Sequence, residues 1–154
     1  MESRDLALTG ILAALYAGLV IFLAPISFLG IQLRVADILT GLVPIFGLPA
    51  VFGLSLGVLI GNLVSPLGLI DLISAVITFV CLLNIYLLRN RSVLLGLVIY
   101  TVVISLWIAF MLYYVFSIPF WISFIELLPG VSAANIVGAY LLYLALKKSE
   151  IQKK

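Results

Sequence analysis

Histidine is absent from this sequence, and cysteine occurs once, at Cys81 within an apolar run. Zinc, haem and iron–sulfur sites need several such side chains, and an internal disulfide needs two cysteines. We therefore expect no metal site and no resident cofactor, and we assign no catalytic residue.

Charge is also scarce. Charged residues make up 9% of the 154 residues and hydrophobic residues 66%, whereas about a quarter of an average soluble domain is charged. The net charge of +2 is too small and too scattered for a nucleic-acid surface. The composition predicts an integral membrane protein with one domain over residues 1–154 and no separate soluble domain.

The apolar runs define the fold class. A membrane-spanning helix needs about 20 mostly apolar residues, and glycine, proline and polar residues divide the runs. The pattern predicts an all-α bundle of six transmembrane helices at residues 6–28, 35–46, 49–63, 72–88, 93–116 and 121–146. The second and third of these are short.

The basic residues indicate the orientation, because they are enriched in short cytoplasmic loops. If both termini are cytoplasmic, six helices place seven of the eight basic residues inside. These seven are Arg4, Arg89, Arg91, Lys147, Lys148, Lys153 and Lys154. We therefore predict a multi-pass protein of the cell membrane with both termini in the cytoplasm.

The remaining ionisable residues outside the two tails fall at the outer ends of the helices. They are Arg34, Asp37, Asp71 and Glu126, and the polar residues near them include Gln32, Asn62 and Asn135. An ionisable group near hydrocarbon is costly unless it is paired or hydrated, which makes it a candidate for ligand binding. The sequence predicts a small-molecule site at the outer face.

Each of these residues also has a structural interpretation. Arg34 and Asp37 are three residues apart and can form an ion pair on one helix face. Asp71 can cap the helix that follows it. Glu126 lies several residues inside an apolar run, which favours a functional role.

Side-chain amides and aromatic rings leave two interpretations open as well. Asn62 and Asn135 can recognise the edge of a heterocycle or bridge two helices. The aromatic residues around the outer end of the fifth helix form either an interfacial belt or a stacking surface for a flat ligand. They are Trp107, Tyr113, Tyr114, Phe120 and Trp121.

Small residues recur at helical spacing in two places. Gly10, Ala14 and Gly18 in the first helix, with Ala13 and Ala17 beside them, form a smooth strip that suits a close helix contact. The contact is either with helices of the same chain or with a partner subunit. The third helix contains Gly53, Gly57 and Gly61, which predict another close helix contact.

Several segments carry a resemblance to a known family. They are Ala13-Ala14-Leu15-Tyr16-Ala17, Ala24-Pro25-Ile26-Ser27, Ile31-Gln32-Leu33-Arg34-Val35-Ala36-Asp37, Gly61-Asn62-Leu63 and Ser65-Pro66-Leu67-Gly68, followed by Glu126 and Asn135. In this order they resemble the QueT family, the substrate-binding S-components of energy-coupling factor transporters associated with queuosine precursors. Asp37 stands where that family leads us to expect the longer Glu.

The resemblance implies an S-component fold with an outer site built from the first, third and fifth connections. It implies a 7-deazaguanine ligand, such as 7-aminomethyl-7-deazaguanine or queuine. Our hypothesis is that Glu126 and either Asp71 or Asp37 bind the base edge and the amine. The polar shell is then completed by Gln32, Arg34, Asn62 and Asn135. The resemblance also implies that Gly10, Ala13, Ala14, Ala17 and Gly18 dock on a transmembrane coupling subunit, which works with two cytoplasmic ATPases. The chain has no GxxxxGK phosphate-binding loop of its own.

Three alternatives remain at this stage. The chain is an S-component for another vitamin or purine-like base, a small membrane enzyme that uses the outer carboxylates, or an assembly subunit whose outer charges pair with one another. The enzyme is weaker than another S-component, since no nucleophile motif, metal set or histidine supports it. We therefore expect a non-enzymatic protein.

Overall fold

The computed structural model describes residues 2–23 and 34–151, with side chains up to residue 149. Within this part of the chain the regular structure is helical. The six helices are α1 (Ser3–Phe22), α2 (3₁₀ Val35–Leu42, then α Val43–Phe46), α3 (α Leu48–Gly61, then 3₁₀ Asn62–Val64), α4 (3₁₀ Gly68–Leu72, then α Ile73–Leu88), α5 (Val93–Phe116) and α6 (α Phe120–Ser132, π Ala133–Ala139, α Tyr140–Ile151).

The predicted number and order of helices agree with this part of the structure. Within the described residues α1 ends at Phe22, and Leu23 has φ −97° and ψ 16°, whereas the predicted end of the first helix at residue 28 lies outside the described residues. Pro25 follows closely in the sequence, and helices usually end before a proline. Residues 24–33, which contain Gln32 and part of the family motif, lie outside the described residues, as do Lys153 and Lys154.

Four of the helices are long and apolar enough to cross a membrane: Ser3–Phe22, Gly68–Leu88, Val93–Phe116 and Phe120–Ser149. The helices Val35–Phe46 and Leu48–Val64 are apolar but shorter, so the membrane crossing of these two stays a prediction. Large apolar side chains are exposed on the bundle surface, for example Phe22 and Leu69, each 83% exposed. These are the features of a multi-pass membrane protein.

Glycines allow α1 and α3 to pack closely side by side. A Cβ on Gly53 would lie 2.7 Å from the Thr9 carbonyl oxygen, and a Cβ on Gly57 would lie 2.6 Å from Tyr16 Cβ. Gly61 faces Val20 in the same way. The close contact predicted from the spacing of these glycines is confirmed, and its partner is α1 of the same chain.

A sharp turn at Gly47 connects α2 and α3. Gly47 has φ 68°, a backbone conformation that glycine adopts without the steric cost of a Cβ. The turn lies beside Tyr86 and Arg89 at the end of α4, while the start of α2 lies beside Tyr16. Helix α2 therefore runs antiparallel to α1 and carries Asp37 into the bundle.

The middle of α6 is wound as a π-helix and packs against α2. Pro129 lies inside the preceding segment and lacks a backbone N–H, which disturbs the regular α-helical hydrogen bonds. A Cβ on Gly41 would collide with the Ala139 backbone, and one on Gly138 would lie 2.7 Å from Ile38 Cγ1. This close contact between α2 and α6 places Asn135 in the interior of the bundle.

Candidate functional site

Asp37 is the centre of a buried polar group that also contains Tyr16, Arg34 and Tyr100. We call these four residues the Asp37 cluster. Tyr16 donates a hydrogen bond of 2.5 Å to Asp37 Oδ1, and Tyr100 donates one of 3.3 Å to the same oxygen. Arg34 Nε lies 3.2 Å from Asp37 Oδ2. The ion pair between Arg34 and Asp37 that the sequence left open is therefore present.

Protein groups occupy both oxygens of the Asp37 carboxylate, which leaves neither oxygen for a ligand. The residue is 0% exposed, and both of its carboxylate oxygens contact protein groups. Oδ2 forms an ion pair with Arg34 whose geometry is not that of a well-aligned hydrogen bond. Arg34 is 12% exposed and also donates from a terminal nitrogen to the Tyr16 hydroxyl, at 3.2 Å. The guanidinium has five N–H donors, so this residue has donors left.

Asn135 acts as a bridge between helices. Its amide nitrogen donates to the Leu97 carbonyl oxygen at 3.1 Å and to Thr101 Oγ1 at 3.0 Å. Its amide oxygen accepts from Thr40 Oγ1 at 2.5 Å. Asn135 thus joins α6 to α5 and α2. This is the bridging role that the sequence left open beside heterocycle recognition.

A second polar group is formed by Asn62, Asp71, Ser74 and Trp107, which we call the Asp71 cluster. Asn62 Nδ2 donates to Asp71 Oδ1 and to the Asp71 carbonyl oxygen, each at 3.0 Å. Ser74 Oγ donates to Asp71 Oδ1 at 2.6 Å, and Trp107 Nε1 donates to Ser74 Oγ at 2.7 Å. The cluster connects α3, α4 and α5.

Asp71 does not cap the helix after it, because its carboxylate accepts hydrogen bonds from side chains. Within residues 2–23 and 34–149, the side-chain hydrogen bonds to that carboxylate use Oδ1. Among the described residues, no group donates to Asp71 Oδ2 or to Asn62 Oδ1. Two acceptor oxygens of the Asp71 cluster are therefore not committed within this part of the chain.

The Asp71 cluster lies farther along the bundle than the Asp37 cluster. Gly57 packs on Tyr16, and Asn62 follows Gly57 by five residues on α3. At about 1.5 Å per helical residue, this is about 7 Å farther from the helix ends that carry the termini. The Asp71 cluster thus lies near the end of the bundle where α3 meets α4, and the Asp37 cluster lies deeper in the bundle.

Glu126 is separate from both clusters. It is exposed on the first segment of α6, beside the buried Leu127. Among the residues that the structure describes, no ion pair or hydrogen bond involves its carboxylate. Gln32 lies outside the described residues, so its position relative to Arg34 stays a prediction.

The aromatic residues near the end of α5 divide into two kinds. Tyr113, Tyr114 and Trp121 are 56%, 69% and 68% exposed, as expected for an interfacial belt. Trp107 is part-buried, and its ring stacks on Phe110 with centroids 5.7 Å apart. Trp107 therefore belongs to the polar cluster rather than to the belt.

The small-residue strip of α1 also divides into two faces. Gly10, Ala14 and Gly18 are exposed, and a Cβ on Gly10 or Gly18 would meet nothing within 4 Å. Ala13 and Ala17 are 7% and 5% exposed and lie on the buried face. Within the described residues, the exposed face of the strip is not covered by this chain.

Four residues of these clusters were not predicted as site residues. Tyr16 and Tyr100 carry a single polar atom inside apolar runs, and nothing in their spacing connects them to Asp37. Ser74 is three residues after Asp71, so its position on the same helix face was a readable signal. For Trp107 the sequence leaves open an aromatic belt or a stacking surface for a flat ligand, and neither interpretation predicts its hydrogen bond to Ser74.

Comparisons with known proteins identify the family of this chain. A family model described as QueT transporter matches residues 6–148, nearly the whole chain. No curated protein matches the sequence, and no solved structure matches the fold.

Proposed function

Because this chain belongs to the QueT transporter family, we propose that it is the substrate-binding S-component of an energy-coupling factor transporter that imports a queuosine precursor. The family is one of transporters, so the chain is not an enzyme. We place it in the cell membrane with both termini in the cytoplasm, in keeping with the basic residues at that end of the bundle.

The observation that supports this proposal best is the state of the Asp71 cluster. Asp71 is 3% exposed, and two side-chain donors orient its carboxylate, yet one carboxylate oxygen is not used by any described residue. A buried, oriented carboxylate with a free oxygen suits recognition of a polar ligand, because hydrogen bonds to charged groups are the stronger ones.

A 7-deazaguanine offers matching chemistry. Its adjacent N–H donors suit Asp71 Oδ2 and Asn62 Oδ1, and its flat face suits the indole ring of Trp107. Its carbonyl oxygen suits an N–H donor of Arg34, which Asp37 and Tyr16 hold in place. In this account Asp37 orients Arg34 instead of touching the ligand.

The other predicted residues have different parts in the proposal. Glu126 is the carboxylate available to the aminomethyl cation of 7-aminomethyl-7-deazaguanine, since no described residue is paired with it. Gln32 completes the polar shell from the connection that precedes Arg34. Asn135 does not contact the ligand in this proposal, and it positions the site by joining α2 to α5 and α6 through hydrogen bonds.

The substrate class is tested by equilibrium binding to the purified protein in detergent. We expect 7-aminomethyl-7-deazaguanine or queuine to bind saturably and guanine to bind much more weakly. Glu126→Gln should weaken binding of the aminomethyl compound more than binding of the uncharged 7-deazaguanine base. Equal affinity of folded protein for guanine and for the deazaguanines would reject the queuosine proposal and favour another purine-like ligand.

The proposed partners are a transmembrane coupling subunit and two cytoplasmic ATPases, with the exposed face of Gly10, Ala14 and Gly18 as the docking surface. Ala14→Leu should abolish co-purification with the coupling subunit while leaving ligand binding unchanged. Ala145→Leu, on an exposed position of α6, is the matched control. Retained assembly of Ala14→Leu would remove this surface from the proposal.

A further inference from the structure

A basic pocket lies at the end of the bundle opposite the proposed substrate site. It has a volume of about 370 Å³ and is lined by Pro44, Ile45, Arg89, Asn90, Tyr143 and Lys147. It combines the end of α2, the connection after α4 and the last segment of α6. Two cations therefore face one cavity from two different elements.

Aromatic rings hold both cations in place. The guanidinium carbon of Arg89 lies 4.0 Å from the ring centroid of Tyr86, and Lys147 Nζ lies 5.4 Å from that of Tyr143. Cation–π contacts of this kind restrict the side chain without neutralising its charge. Within the described part of the chain, no carboxylate oxygen lies within 4.0 Å of either cation.

A second cavity of about 490 Å³ lies on the other side of Arg89 and has a different character. Its lining includes Phe46 and Leu48, which are 39% and 42% exposed, together with Asp5. The apolar side chains suit a hydrocarbon chain. The nearby carboxylate disfavours a second negative charge beside Arg89, which favours a monoanionic phosphodiester over a polyphosphate.

We propose that the basic pocket binds the headgroup of an anionic phospholipid, with the phosphate between Arg89 and Lys147. An acyl chain of the same lipid lies in the second cavity, along Phe46 and Leu48. Basic pockets between helices at the cytoplasmic side of a membrane suit such headgroups. The arginine fork pairs with phosphate oxygens. The Gly47 turn packs against Tyr86 and Arg89, so the lipid would fasten the α2 and α3 turn to α4 and α6.

The test compares native mass spectra and thermal unfolding of the full chain in micelles containing phosphatidylglycerol or phosphatidylcholine. We expect retained phosphatidylglycerol adducts and a raised Tm, both lost in Lys147→Gln and in the double variant Arg89→Gln, Lys147→Gln. Lys147 is exposed, so the single variant keeps the proposal testable if the double variant does not fold. Arg91→Gln, exposed at the same end but outside the pocket lining, should retain the lipid.

Three results would overturn the proposal. They are equal retention of phosphatidylcholine, equal retention of phosphatidylglycerol by Lys147→Gln, and an equal Tm shift with inorganic phosphate or ATP in a neutral micelle. The last result would identify a soluble phosphate compound as the occupant. Binding of the deazaguanine is measured in parallel and is expected to be unchanged in Lys147→Gln, so the two proposals fail independently.

Discussion

Asp37 and Asp71 are two buried aspartates of the same bundle, with different surroundings. Asp37 is enclosed by a cation and two tyrosine hydroxyls that contact both of its oxygens. Asp71 is held at one oxygen by Asn62 and Ser74, while the other oxygen is not bound by any described residue. In the proposed function, Asp37 organises the fold and Asp71 is available to the ligand.

Burial alone does not distinguish these two aspartates, which are 0% and 3% exposed, whereas the groups around them do. An isolated charge in a low-dielectric interior is costly, and the surroundings of the two carboxylates offset this cost to different extents. At Asp37 the charge is balanced inside the protein by Arg34. At Asp71 the donors are neutral, so the negative charge remains for a partner with N–H donors or a positive charge.

The largest expected effect is that of Asp37→Asn on stability. The substitution leaves the Arg34 guanidinium without its buried partner, and breaking such a pair typically costs about 3–5 kcal/mol. The loss is measured as the free energy of unfolding in micelles, with Asp71→Asn as the matched control. Equal stability of the two variants would remove the distinction between the clusters.

Asp71→Asn is expected to affect binding rather than folding. The new amide oxygen still accepts from Asn62 and Ser74, but the charged acceptor for the ligand is lost. Hydrogen bonds to charged groups contribute about 1.5–3 kcal/mol, which corresponds to a Kd raised about 10-fold to 150-fold. Calorimetric titration measures this, and an unchanged Kd in folded protein would contradict the assignment.

Two glycine variants test the packing that positions Tyr16 beside Asp37. Gly57→Ala places a Cβ 2.6 Å from Tyr16 Cβ, and such overpacking costs about 1–3 kcal/mol. Gly10→Ala has open space and should be neutral or stabilising, since alanine is the better helix former. The two values of Tm are compared, and a drop for Gly10→Ala equal to that for Gly57→Ala would show that the α1 and α3 contact is looser than described.

Trp107→Phe is expected to have a smaller effect than the aspartate substitutions and Gly57→Ala. The ring remains, but the hydrogen bond to Ser74 Oγ is lost, which costs about 1 kcal/mol. Trp121→Phe should cost less, because Trp121 is 68% exposed. Thermal unfolding of both variants checks the order, and the reverse order would place Trp107 outside the cluster.

The sequence predicted the six helices because apolar runs and their glycine and proline breaks are local signals. It left the pairing of Arg34 with Asp37 open as one of two interpretations, since both lie on one short segment. It did not predict that Tyr16 and Tyr100 enclose Asp37, because that contact depends on how α1, α2 and α5 pack together. The exposure of Glu126 also depends on the rotation of α6, which an almost uniformly apolar helix does not reveal.

The central claim is that the ligand binds at the Asp71 cluster, and the two tryptophans of the chain allow a direct test. Fluorescence is recorded while 7-aminomethyl-7-deazaguanine is added to Trp121→Phe, which keeps Trp107, and to Trp107→Phe, which keeps Trp121. We predict a saturable change in Trp121→Phe that Asp71→Asn shifts to higher ligand concentration. A saturable change confined to Trp107→Phe would place the ligand elsewhere and contradict the account.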